Sequence, residues 1–458
     1  SFSADSVETS EPRKTEENQT VYIDNIFIIG NKKTKEGIIL RELSVQKGET
    51  YDQKELAQIL ELDKSKLFNT RLFYTVEISI LNLDDTTVDI VINVTERWYI
   101  FPAPIFDLVD RNFNDWWQNQ GRDFSRTNYG VRIFHNNFRG RNERLRLLLQ
   151  LGFTRKIGIT YRVPYIDRKK RHGLSFSYDY SENDNIAIRT VENKPVFFDA
   201  DETIRVFREY SLGYTFRRSF YNFHSLNFRV FNNTVSDTVT TLNPNYYQTD
   251  DQQQQYAELT YSFTYDKRDF APYPLKGARM DIFARKEGLG IYDDLDRFDI
   301  LINYSKFLDL KKNFYFSNYS AIYASFPTEQ PYANIGGLGF RRNFIRGYEL
   351  YLIEGKSFYL NRSTFKKRIF SKVANLKAVP IEQFRKMPID IYFKAYFDMG
   401  YAENFVSYSE NSRLADRYLF GTGAGFDIVS YYDTVIRLEF TVNRENESGF
   451  FLHLKKEF

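Results

Sequence analysis

Residues 173–182 read Gly-Leu-Ser-Phe-Ser-Tyr-Asp-Tyr-Ser-Glu. Leu174, Phe176, Tyr178 and Tyr180 alternate with Ser175, Ser177 and Asp179, so an extended chain has one apolar and one polar face here. The pattern recurs. Tyr210, Leu212, Tyr214 and Phe216 alternate with Ser211, Gly213 and Thr215, and Leu259, Tyr261, Phe263 and Tyr265 with Thr260, Ser262 and Thr264. A water-soluble sandwich would alternate in the same way, so the connections must decide. About sixteen such strands fit between residues 98 and 458. Connections 137–142, 166–172, 218–224, 268–276, 309–311 and 429–433 are short, whereas 109–125, 183–208, 234–255, 326–355 and 402–416 are long. Short turns on one rim and long loops on the other mark an outer-membrane β-barrel. Three connections break the rule: 154 and 445–448 are short, and 368–387 is long, with the composition of a helix.

Composition agrees. Aromatic residues make up 17% of the 458 residues, yet mean hydropathy is −0.50 and no apolar run approaches the length of a membrane helix. Sixty-three Lys and Arg against 60 Asp and Glu leave a net charge of +3, with no basic excess for nucleic acid. Cysteine is absent, which excludes disulfides, thiolate catalysis and Cys-ligated metals. His135, His172, His224 and His453 are too far apart in sequence for a local metal motif. No cofactor is expected, and an enzyme reading has no support. The start at Ser1, without Met or an apolar leader, reads as a mature form whose export signal has been removed.

Ahead of the barrel pattern, residues 1–20 are polar and read as a mobile tail. Residues 21–96 read as a small α+β domain in the order strand, helix, helix, strand, strand. Its first strand ends at Gly30-Asn31, helical spacing follows over 34–43, and Asp52 with Glu55 forms a capping box for a second helix. That helix carries Leu56, Ile59, Leu60 and Leu67, and strands 75–83 and 87–96 meet at Asp84-Asp85. Residues 97–458 are the expected barrel.

The barrel's two ends carry their own signals. Its first strand contains Pro102 and Pro104, whose positions two apart send their nitrogens toward the same neighbour, and proline has no N–H to give. If that neighbour is the last strand, the closing seam is weak, and Gly449 weakens it further. The alternative is that the prolines only mark where the chain leaves the first domain. The final GFFLHLKKEF (449–458) is an amphipathic strand, and its terminal Phe458 reads as an aromatic tag for barrel-assembly machinery.

On these residues a family resemblance stands. The opening VYIDNIFIIGNKKTKEGIILREL (21–43), in its strand–helix–helix–strand–strand context, resembles a POTRA domain. IRGYE (345–349) resembles the arginine-glycine-aromatic motif of the BamA-type superfamily. FDMG (397–400) resembles the motif facing it, and YDKRDFAPYPLKG (265–277) a third family element. The resemblance covers residues 21–458 and implies a sixteen-stranded transmembrane barrel behind one POTRA domain, in a bacterial outer membrane with that domain in the periplasm. It also implies a lumen loop tethered through Arg346, Gly347, Tyr348, Asp398 and Gly400. The implied partners are outer-membrane lipids, nascent barrel or secreted clients, and accessory periplasmic or lipoprotein subunits. The leading expectation is an assembly factor that inserts other barrels through the seam. The alternatives are a secretion channel of the two-partner type or a structural subunit of an envelope complex. The single POTRA departs from the several usual in central assembly factors.

The tether has a physical rationale. Asp398 has the opposite parity to Ile391, Phe393 and Phe397, which points it inward, where a guanidinium can bind it through two parallel hydrogen bonds. The alternative is that Arg346 is one of many solvated loop arginines. In the family a carboxylate one strand earlier often joins the pair. Here that strand, SFYLNRSTFKKRIF (357–370), has no acid, so the third partner is missing or Glu349 or Glu354 replaces it. GGLGF (336–340) without a following GK[ST] reads as loop flexibility, Ser363–Lys366 as a chance SxxK, and DDLDRFD (293–299) as a solvated acidic loop rather than a cation site.

Overall fold

A computed structural model describes residues 20–84, 86–108, 117, 121–167, 169–249, 251–340, 343–375, 386–405, 411, 413–430 and 434–455. The expected tail, Asp85 and Phe458 lie outside the described residues. The chain divides into two compact units, one of residues up to Lys32 plus Ile39–Glu96, the other of Lys33–Ile38 plus the residues from Arg97 onward.

The stretch of residues 20–96 runs β1 (Thr20–Ile29), α1 (Glu36–Leu40), β2 (Thr50–Asp52), α2 (Gln53–Asn69), β3 (Phe73–Asn82) and β4 (Thr87–Glu96). Its sheet order is β2-β1-β4-β3, with β1 and β4 parallel. The short β2 is an addition to the expected order. Asp52 caps α2, its Oδ1 accepting from the main-chain N–H of Lys54 and Glu55. One face of α2 buries Leu56, Leu60 and Leu67 in a core with Ile23, Phe73, Ile90 and Ile92. Asp63, on the same helix, is buried with satisfied oxygens, accepting from Ser44 N at 2.7 Å and Lys66 Nζ at 2.8 Å.

The second unit is a 16-stranded sheet. Its strands are β5 (Ile100–Leu108), β6 (Thr127–Phe138), β7 (Glu143–Gly152), β8 (Thr154–Val163), β9 (His172–Asn183), β12 (Arg205–Arg217), β13 (Asn222–Val235) and β14 (Gln253–Asp266). They continue with β15 (Gly277–Glu287), β16 (Arg297–Asp309), β17 (Phe314–Phe326), β20 (Ser357–Asn375), β21 (Lys386–Glu403), β22 (Leu419–Val429), β23 (Val435–Asn443) and β24 (Ser448–Lys455). Each pairs antiparallel with its neighbours in chain order. The hairpin β10 (Asn185–Val191)/β11 (Lys194–Asp199) and the short pair β18 (Gly337–Leu338)/β19 (Ile353–Glu354) stand outside the sheet, as does α3 (Asp237–Leu242).

The ladder explains the alternation. Tyr210 lies opposite Tyr178, Leu212 opposite Phe176, and Leu226 opposite both Tyr214 and Tyr261, all on one face. Leu212 is 57% exposed and Phe176 48%, so this face is apolar and uncovered, as a lipid-facing wall requires. The other face is polar and mostly half-buried. Curvature brings distant strands together: Tyr273, in the turn between β14 and β15, reaches Asp427 on β22. On the long-connection rim Asn193 accepts from Leu352 N and Leu414 N and donates to Leu352 O, while Ile186, Ile188, Ile204, Val239 and Tyr247 form an apolar cluster beside it. Of the connection expected to be helical over 368–387, the described parts are strand. Residues 368–375 extend β20 and residues 386–387 begin β21, and 376–385 lie outside the described residues.

Leu67→Ala should cost the first unit about 2–5 kcal/mol, because it opens a cavity at a fully buried position. Hydrogen exchange of Ile90 and Ile92 would then speed up while that of β13 stays unchanged.

Candidate functional site: a tethered inner loop and an open sheet edge

The connection from β17 to β20 folds against the inner faces of β20–β24. Arg346 donates through Nε to Asp398 Oδ2 at 2.8 Å and through Nη2 to Oδ1 at 2.5 Å, and its main-chain N–H adds a bond to Oδ2 at 3.1 Å. Asp398 is fully buried, while Phe393 and Phe397 on the same strand face outward. The guanidinium also donates to Thr364 Oγ1 on β20 at 3.0 Å and lies 3.8 Å from the centre of the Tyr396 ring. Its Nη1 is 3.5 Å from Glu439 Oε1 on β23. The third acid therefore comes from β23, and the strand before Asp398 contributes a hydroxyl instead. Neither Glu349 nor Glu354 takes that place: Glu349 accepts from Gly347 N at 2.6 Å, and Glu354 bonds Thr190 and Asn411.

The network continues downward. Lys394 joins Glu439 at 2.7 Å to Asp427 at 2.5 Å, and Asp427 accepts from Tyr273 Oη at 2.8 Å. Tyr273 belongs to the 265–277 element. There Arg268 clasps Asp266, and Asp269 Oδ1 accepts from the main-chain N–H of Phe270 and Leu275, folding the turn inward. Lys366 lies 4.3 Å above the Tyr273 ring. Such an array is stabilising only as a set, since each buried charge depends on its partner.

Steric space makes the docking possible. Gly347 has φ +94°, open to glycine without strain, and its carbonyl accepts from Asn443 Nδ2 at 2.8 Å. A Cβ on Gly400 would stand 2.6 Å from Ile345 Cδ1, and one on Gly421 only 1.8 Å from the Arg346 carbonyl oxygen. Tyr348 is buried in a cluster with Ile345, Tyr351, Leu414 and Leu419, and Phe344 stacks on His453 of β24. Thr364, Tyr396, Gly421, Glu439 and Asn443 were not singled out from sequence. The run Gly-Thr-Gly-Ala-Gly (421–425), bare on every second residue, is the signal that marks a wall another segment lies against.

The sheet's two ends are β5 and β24, and among the described residues no ladder joins them. Asn136 N bonds Tyr99 O, so Tyr99, Phe101 and Ala103 turn their main chain toward β6. Pro102 and Pro104 therefore turn theirs toward the open edge. Gly449 lies in β24, paired with Thr441 of β23, and the position of Phe458 is outside the described residues. The remaining sequence motifs serve the fold. Gly337 and Leu338 pair with β19, Ser363 donates to Asn361, and the acids of 293–299 accept from Gly290 N, Gln255 N, Lys286 and Arg285.

Arg346→Ala strands Asp398 and should loosen the loop by roughly 3–5 kcal/mol, as should Asp398→Ala. Limited proteolysis within 343–356 and single-channel conductance would both rise above wild type. Burial pushes the Glu349 carboxyl up from 4.5 to about 8. The docked loop thus holds a proton that a released loop gives up, and docking weakens as pH rises between those two values. Proteolysis should increase from pH 5 to pH 9, and Glu349→Gln should flatten that dependence.

Comparison with known proteins follows the same division. Residues 21–97 match the POTRA family, described as a surface antigen variable number repeat, and residues 137–448 match the Omp85 superfamily domain. A search of curated proteins finds no match. Among solved structures, BamA from Haemophilus ducreyi lacking POTRA domains 1–3 is similar at 17% identity and a TM-score of 0.53, over 95% of this chain and 84% of that one. CdiB from Escherichia coli is similar at 10% identity and a TM-score of 0.55, over 95% and 75%. At those identities the likeness speaks for the barrel fold alone. The superfamily match covers more than half of the sequence, and the chain belongs to the Omp85 superfamily.

Proposed function

We propose that this protein assists the folding and insertion of other β-barrel proteins in a bacterial outer membrane, without chemical reaction. In this reading residues 1–20 are a tail, 21–96 a periplasmic POTRA domain and 97–458 the barrel. Superfamily membership carries the coarser statement, that the chain works in outer-membrane insertion or translocation. The finer one rests on the open edge. Pro102 and Pro104 remove two donors from the side of β5 that would meet β24, each missing bond weakening a closed seam by about 1 kcal/mol. A client strand supplies its own N–H and C=O groups, so it can add to either edge as the seam parts. Gly449 of β24 belongs to the same seam, and the Arg346–Asp398 tether stiffens the wall beside it. The edges of the β2-β1-β4-β3 sheet offer nascent strands a first contact.

A translocation channel on the same fold agrees with the comparisons equally well. Passage through the lumen would require the loop at Arg346 to leave and the contacts of Asn193, Glu354 and Asn411 on the far rim to break. The packed rim supports release sideways.

The test is to reconstitute the protein in liposomes and follow a urea-diluted outer-membrane barrel by heat-modifiable gel shift, with an ordinary porin as control. Acceleration above the porin is expected. It should fall when cysteines placed in β5 and β24 are oxidised to lock the seam, and weaken in the Pro102→Val, Pro104→Val double variant. Acceleration that persists in the locked protein removes the seam from the mechanism, and no acceleration at all favours a channel or a complex subunit.

A further inference from the structure

Strands β20 and β21 run past their neighbours. Pairing of β17 with β20 ends at Phe314 and Lys367, followed by one bond from Arg368 N to Asn313 O, yet β20 continues to Asn375. Pairing of β21 with β22 reaches only Asp390, while β21 begins at Lys386. The overhang is a two-stranded ribbon on the short-turn rim, with Asn375 opposite Lys386 and Val373 opposite Pro388.

Its two edges differ. The carbonyl of Pro388 accepts from Ser430 Oγ at 3.1 Å, which turns the main chain of Pro388 away from β20. The proline nitrogen faces the same way and has nothing to donate, so that edge is blunted. Residues opposite each other in an antiparallel pair both face inward or both outward, so the N–H and C=O of Val373 face out from β20. Ser371 and Asn375, two residues to either side, do the same. Among the described residues these groups have no main-chain partner, and none is proline. The surroundings are exposed and apolar as well, with Ile369 at 53%, Phe370 at 44% and Val373 at 61%. Natural sheets rarely leave such an edge unprotected.

The charge around it, among the described residues, is mostly positive. Exposed Lys311 and Lys312 sit in the turn beside the edge, and Lys367, Arg368 and Lys372 lie along it. The nearby acids are Asp309, which accepts from Lys311 N, and Asp390. We propose that the β20 edge at Ser371–Asn375 is a docking strand for an acidic, extended segment of a partner protein. The segment adds to the ribbon by main-chain pairing while its carboxylates meet the lysines. Lipid phosphates would take up the lysines but leave the outward carbonyls of Ser371, Val373 and Asn375 unpaired, whereas a strand satisfies both. The inference uses neither seam nor tether and stands whether the barrel inserts or translocates its clients.

The probe is a labelled short peptide alternating glutamate and valine, added to the full-length protein in nanodiscs and followed by anisotropy and hydrogen exchange. Saturable binding is expected, with slower exchange at Ser371, Val373 and Asn375 and loss of affinity at high salt. Val373→Pro removes one outward N–H and should weaken binding about tenfold. Ser371→Pro, with heat-modifiability as the folding check, serves if the first variant misfolds, and Lys372→Glu should weaken binding independently. The proposal is overturned if the peptide does not bind, or binds every variant alike. It also fails if anionic vesicles protect the same amides in place of the peptide, or if they become protected by self-association alone.

Discussion

Inside hydrocarbon a main-chain N–H or C=O without a partner is costly, and a barrel escapes that cost only by closing on itself. This sheet meets the demand along fifteen ladders and, among the described residues, leaves it open at the pair of strands where chain order ends. The interior is organised around that exception. Arg346, Asp398, Glu439, Lys394, Asp427 and Tyr273 form one chain of contacts across β20 to β23, reinforced by Thr364 and by the Phe344–His453 stack on β24. The last five strands thereby become a stiff wall, because moving β21, β22 or β23 separates buried charges, and moving β20 or β24 breaks the Thr364 bond or the ring stack. The edge is the counterpart of that wall, because two prolines remove donors from it.

The same polar interior explains the glycine placement. A loop carrying a guanidinium can approach Asp398 only if the wall between them is smooth. Gly400 and Gly421 supply that smoothness, one against Ile345 and the other against the Arg346 carbonyl. Tethering and clearance are thus one requirement expressed on two strands.

Much of this was legible from sequence because lipid imposes a strict period of two. Phe176, Leu212 and Tyr261 had to share a face, and once strands were placed, the parity of Asp398 followed. What stayed hidden depended on contacts between residues far apart in the chain. Glu439 alternates like any other strand acid, and only the curl of the sheet brings it to Arg346. The stretch 368–375 misled for a local reason: Lys and Ala suit a helix, whereas β20 and β21 continue each other's ladder there and override propensity. The hairpin β10/β11 was lost inside a long connection, since its pairing is satisfied within itself.

The loop segment is attached at both ends to different parts of the wall. Phe344 to Gly347 hold β20–β24, whereas Leu352 and Glu354 hold Asn193 and Thr190 of the hairpin between β9 and β12. Between these anchors lie Tyr348–Tyr351, coiled into turns by the bonds from Tyr348 N to Ile345 O and Tyr351 N to Tyr348 O. Straightening them would let the span from Gly347 to Leu352 reach roughly 17 Å. The segment is a folded leash: the length that would let the two halves of the wall draw apart is stored in the turns at Tyr348–Tyr351, and releasing it costs the apolar cluster around Tyr348 and the bond from Tyr351 Oη to Glu447.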